Sequence, residues 1–92
     1  MIPVHPGRIL KRELEARSLS ANRLALALRV PSGRITMILN GKRVITPETA
    51  LRLACYFGNS AQFWMSLQTN YDLGLAEQTI GERIRAEVDA VA

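Results

Sequence analysis

A single cysteine, Cys55, stands in a chain of 92 residues, which excludes an intramolecular disulfide and any zinc site built from several thiolates. A single histidine, His5, argues against zinc catalysis and against a Ser-His-Asp triad. Aromatic residues make up only 5%, so the core is expected to be aliphatic. No apolar run approaches the ~18–20 residues of a membrane span. No basic segment leads into a long apolar run, so no signal peptide is expected. Paired carboxylates, Cys-His pairs, metal-ligand clusters and glycine-rich phosphate loops are also missing, and an enzyme is not expected. Neither is a cofactor or a bound metal. What remains is 48% hydrophobic and 22% charged, the balance of one globular domain rather than a disordered chain.

The charge is unevenly spread. Residues 1–43 hold nine Lys and Arg against two acids, Glu13 and Glu15, a balance of +7. Residues 44–92 hold three arginines against six acids, a balance of −3. The basic half fits a polyanionic partner; ordinary solubilising charge is the alternative.

Proline and glycine sit at joints, and the pattern between them is helical. A first helix is expected from Pro6 to Arg17, with Ile9, Leu10 and Leu14 inward. Ser20 caps a second, with Leu24, Ala25 and Leu28 on one face. Arg29, Val30 and Pro31 break the chain, and a third helix runs from Ser32 to Asn40, closed by Gly41. Thr46-Pro47 opens a fourth, with Leu51, Ala54 and Phe57 as its inner stripe and Gly58 as its stop. Asn59 or Ser60 caps a fifth carrying Phe63, Trp64 and Leu67. Thr79 and Glu82 form a capping box for a last helix striped by Ile80, Ile84, Val88 and Val91. The β-branched run Val44-Ile45-Thr46 ends at a proline, so no strand is expected. Trp64 reads as a core or dimer-interface anchor and Cys55 as a small buried hydrophobe. His5 shows no partner for metal binding or catalysis.

Two short helices joined by a tight turn, over residues 20–40, have the length of a helix-turn-helix. At about 100° per residue, Ile35, Ile38 and Leu39 share the buried side of the third helix. Gly33, Met37 and Asn40 lie opposite, flanked by Arg34 and Thr36, with Ser32 in the first turn. A merely solubilising face would more often carry Glu and Lys. Asn40-Gly41-Lys42-Arg43 follows, a turn with two cations suited to phosphate.

Residues 20–43, SANRLALALRVPSGRITMILNGKR, resemble the helix-turn-helix of lambda-repressor-like (XRE) proteins. The wider set HPGRILKRELEARSLS, then LNGKRVITPETALRLACYFGNSAQFWMSLQTNYDL, resembles HigA/VapI-type antitoxins over roughly residues 5–73. The resemblance implies an all-α, five-helix lambda-repressor-like DNA-binding domain with an additional C-terminal helix. It implies a homodimer on a palindromic operator in double-stranded DNA, acting in the bacterial cytoplasm, nucleoid-associated when bound, with no membrane role. It also implies repression of its own operon and neutralisation of a RelE-like, mRNA-cleaving toxin.

Matched to that family, Ser32, Gly33, Arg34, Thr36 and Met37 take the recognition-helix positions. Asn40, Lys42 and Arg43 take the backbone-contact positions. The chain departs from the pattern at three places. Ala21 stands where many members carry a phosphate-anchoring Gln, leaving Ser20, Asn22 or Arg23 to substitute. Pro31 replaces the usual serine cap. Gly33 reads no base through a side chain, and either permits close approach to DNA or is only tolerated. Residues 1–78 form the expected helix-turn-helix domain; residues 79–92 form an amphipathic helix and a candidate dimerisation element. A stand-alone or phage-type repressor without a toxin is the rival reading, and a protein-interaction module that no longer binds DNA is a third.

Overall fold

The computed structural model describes residues 2–91 and is all-helical, with no strand among them. Helix α1 spans Pro6–Ala16, α2 Ala21–Leu28, α3 Ser32–Leu39, α4 Pro47–Phe57, α5 Ala61–Ala76 and α6 Glu82–Glu87, with a π turn at Glu77–Gly81.

The helix ends follow from a few residues. Ser20 Oγ accepts from the Arg23 N–H and Ser60 Oγ from the Phe63 N–H, so α2 and α5 start on side-chain caps. Thr46 does the same for α4, followed by Pro47 in the first turn. The carboxyl end of α3 is a Schellman motif: Lys42 N–H donates to Met37 O and Gly41 N–H to Ile38 O. Gly41, at φ 74°, supplies the left-handed residue this motif needs. The ends of α1 and α2 use the same bonds, but their left-handed residues are Ser18 and Arg29.

Leu10 and Leu14 of α1, Leu24, Ala25 and Leu28 of α2, and Ile35 and Ile38 of α3 meet Ala50, Leu53 and Trp64 in one buried cluster. Each fully buried Leu or Ile contributes about 1.5–3 kcal/mol of transfer free energy. Trp64 is the anchor, packed against Phe57 and Phe63, with its indole N–H donating to Asn59 Oδ1 at 2.9 Å. The core is aliphatic around this one indole, as the low aromatic content requires.

Several details differ from the sequence reading. The inner face of α4 is Thr49, Ala50 and Leu53, with Ala54 and Phe57 half-buried, while Leu51 is 61% exposed. A stripe at 50, 53, 54 and 57 turns Leu51 roughly 100° from Ala50 and outward. Cys55 lies on the same outer side and is exposed, not buried. Leu39 is half-buried and Phe63 is exposed.

No helix begins at Thr79: its hydroxyl donates back to Leu75 O and Ala76 O. Helix α5 runs through the π turn into α6 without leaving helical φ/ψ. Thr79 sits inside an unbroken ladder, where a hydroxyl bonds a preceding carbonyl rather than an open N–H. The helix ends at Glu87, so Val88 and Val91 lie beyond it, and Ile84, Val88 and Val91 are all exposed. The result is a molecule of 52 × 22 × 21 Å whose α6 projects from the core.

Candidate nucleic-acid interface

The outward side of α3 is built from what the buried side leaves over. Ile35 and Ile38 are sealed in the core. Gly33, Met37 and Asn40 are exposed on the opposite side, with Ser32 and Thr36 beside them. Met37 is 43% exposed, so this methionine is a surface residue rather than part of the core edge. Nothing lies within 4 Å of a Cβ placed on Gly33, so no internal contact requires glycine there. The Thr36 hydroxyl donates to Ser32 O at 3.1 Å, leaving its oxygen as an acceptor. Pro31 occupies the cap position of α3 and gives no side-chain cap, and Ser32 is the first helical residue. The amino end of α3 therefore presents N–H groups that no side chain covers.

Arg34 is the member of the set the structure places differently. It is half-buried, and its guanidinium pairs with Glu48 of α4 at 3.3 Å. Glu48 also holds Arg52 at 3.1 Å, and Arg52 donates to the Leu28 carbonyl at the end of α2 at 2.9 Å. The Arg52 hydrogen bond, then the charges of Arg34 and Arg52, hold the Glu48 carboxyl below its ordinary value. One carboxylate thus links the third helix to the fourth. Spacing gave no sign of this pair, because Arg34 and Glu48 are 14 residues apart in the chain.

Lys42 and Arg43 are exposed on the turn after α3. At the amino end of α2, Asn22 and Arg23 are exposed, while Ser20 Oγ is committed to its cap. Two side chains that support the turn went unseen in the sequence. Gln68 of α5 is buried, and its Oε1 accepts from the Ile45 N–H at 2.8 Å. His5 caps α1 through Nδ1, which accepts from the Gly7 N–H at 2.9 Å. Its position just before Pro6 was the available signal. Among the described residues, no group of His, Cys, Asp or Glu is placed to hold a metal ion. None of the described helices is long and apolar enough to cross a membrane.

A short helix pair with a sealed inner face, and an outer face of small and polar residues leading to a basic turn, defines the helix-turn-helix class. The family model described as helix-turn-helix matches residues 10–64. Virulence-associated protein I of Dichelobacter nodosus is 52% identical over 79 residues, covering 85% of this chain and 73% of that protein. The structure of an addiction module antidote protein of a HigA family from Coxiella burnetii superposes with a TM-score of 0.96 at 48% identity, covering 99% of this chain and 100% of that one. Pseudomonas aeruginosa antitoxin HigA, solved with higBA promoter DNA, superposes with a TM-score of 0.95 at 40% identity over 98% and 99% of the two chains. The chain belongs to the helix-turn-helix family of XRE-type regulators, in its HigA/VapI-type antitoxin branch, whose members are not enzymes.

Proposed function

We propose that this chain is a DNA-binding antitoxin that represses its own operon and neutralises a RelE-like, mRNA-cleaving toxin. The observation that carries the DNA reading is the outer side of α3. It holds no acid, its Gly33 is open to close approach, and it leads into the Lys42-Arg43 turn. The likeness to a HigA antitoxin solved with promoter DNA supports the same reading.

In this reading Ser32, Gly33, Thr36 and Met37 face base edges in the major groove, Met37 against a thymine methyl. Arg34 reaches a guanine or a phosphate from beside Glu48. Asn40, Lys42 and Arg43 bind the backbone on one side, and Ser20, Asn22 and Arg23 on the other. The protein acts as a homodimer in the cytoplasm, with residues 79–92 as dimerisation element beyond the helix-turn-helix domain of residues 1–78. Its operator half-sites are then spaced by about 34 Å, one DNA turn, or a multiple.

The test is fluorescence anisotropy at about 150 mM salt, with DNA from upstream of its own gene against a scrambled duplex of equal length. A preference of roughly a thousandfold or more is expected for a specific repressor. Equal weak binding to both duplexes defeats the reading. Co-expression with the product of the adjacent gene tests the toxin half: relief of growth arrest is expected, and a neighbour that is not toxic leaves a stand-alone repressor.

A further inference from the structure

The His5-Pro6-Gly7 segment packs against the carboxyl end of α3. A Cβ on Gly7 would overlap the Ile38 carbonyl, so only glycine lets the first turn of α1 lie on that group. The same carbonyl accepts the Gly41 N–H of the Schellman motif at 3.0 Å. The His5 ring then lies over Gly41, where a Cβ would sit 3.8 Å from its Cγ. One ring nitrogen, Nδ1, accepts from the Gly7 N–H at 2.9 Å. The ring stands edge-on to Tyr71 of α5, with centroids 4.9 Å apart. Asp72, next along α5, supplies a negative charge toward His5 and accepts from Gln68 Nε2 at 2.9 Å. Gln68 in turn holds the Ile45 N–H. The segment 41–45 is therefore held at one end by His5 and at the other by Gln68, and Asp72 joins the two.

We propose that His5 is a positioning residue: its ring packs between Gly41 and Tyr71 and so holds the Asn40–Arg43 turn where Lys42 and Arg43 meet DNA phosphate. The ring touches no DNA; it acts through the turn. This rests on the DNA reading of that turn. A helix cap alone needs neither the ring contact with Gly41 nor the one with Tyr71, and Asn or Ser caps better than histidine. Histidine is suited to both tasks because Nδ1 accepts from Gly7 while the ring carbons Cγ and Cδ2 pack against the turn at Gly41.

Two substitutions separate the tasks. H5N keeps a good cap but lacks the ring; H5A loses both. The first readout needs no DNA: amide hydrogen exchange at Gly41 and Lys42, whose N–H groups are bonded to Ile38 O and Met37 O. In H5N these two amides are expected to exchange about tenfold faster, with α2 amides unchanged, because the opening is local. The second readout is operator affinity well below the melting temperature. H5N is expected to weaken binding roughly three- to tenfold and to flatten the salt slope by about one unit. H5N with wild-type exchange at Gly41 and Lys42 and wild-type affinity overturns the proposal and leaves His5 as a cap only. K42A is the control for the underlying reading. If K42A leaves affinity and salt slope unchanged, the turn does not bind phosphate and the DNA role of His5 falls with it, whatever the exchange shows. If K42A flattens the slope while H5N does not, the reading stands and the positioning role fails.

Discussion

Gly33 is a costly residue in the first turn of a short helix, weakening it by up to about 1 kcal/mol relative to alanine. No internal neighbour repays that cost, since a Cβ there would meet open space. G33A is expected to stabilise the protein by up to about this amount in urea unfolding. Operator binding is expected to weaken by roughly tenfold if DNA comes within contact distance of the helix backbone. Unchanged operator affinity would remove the close-approach role. Arg29 has the opposite origin: it is a left-handed residue, φ 60°, forced by the Schellman end of α2. A non-glycine residue in this conformation costs about 1–2 kcal/mol. R29G is expected to raise the melting temperature by several degrees, roughly 4 °C or more for a domain of this size, in thermal unfolding followed by circular dichroism.

His5 gives the pH dependence at this scale. Burial holds its pKa below the usual 6.5, against the opposing pull of Asp72 and the Arg43 backbone. The unfolded chain therefore takes up its proton at higher pH than the folded chain. The His5 contribution to stability is complete above about pH 6.5 and is lost as pH falls through the depressed value. Wild type is expected to lose thermal stability between pH 7 and 5 more steeply than H5N. Parallel pH profiles would show that His5 titrates alike in both states.

At the scale of elements, the central fact is that α3 is held from α4 by one carboxylate. Glu48 pairs Arg34 and Arg52 together, and Arg52 also closes the end of α2. The pair is solvent-exposed on its acidic side, so its direct worth to stability is small. Its larger effect is on where Arg34 points. E48Q removes a negative charge beside the proposed interface and releases Arg34. Affinity for a scrambled duplex is expected to rise several-fold, and the operator-to-scrambled ratio to fall, because a freed arginine binds any phosphate. No change in either number would mean that Arg34 stays away from DNA. The helices themselves were legible because each start and stop is local. Ser20, Thr46-Pro47, Gly41 and Gly58 each act within one turn of their own position. The ties between elements were not legible. Arg34 to Glu48, Gln68 to Ile45 and His5 to Gly41 join residues far apart in the chain, and no spacing rule connects them.

At the scale of the whole molecule, the radius of gyration is 15.9 Å. A compact chain of this length is expected near 12 Å. The excess comes from the rod of α5, the π turn and α6, which carries exposed Leu73, Leu75 and Ile84 away from the core. Apolar side chains projecting in this way suit pairing with a second copy. Deletion of residues 79–92 is expected to shift the protein from dimer toward monomer in sedimentation velocity while leaving the helical circular dichroism of the remainder. An unchanged dimer would assign the contact to another surface.

By itself the sequence determined the all-α class, the helix boundaries within a residue or two through the start of α5, and the sealed and open sides of α3. These depend on caps, breakers and a 3.6-residue period, all of which act over a few residues and can be read along a line. Only the tertiary structure decided that α5 passes without a break into α6, because the ladder of backbone hydrogen bonds overrode a capping pattern at Thr79. Only the tertiary structure turned Leu51 and Cys55 outward, since the core chose among neighbouring stripes of α4 by what α2 and α5 present to it. And only the tertiary structure tied Arg34 to Glu48 and the basic turn to His5 and Gln68, because those bonds depend on distances across the fold that the order of residues does not state.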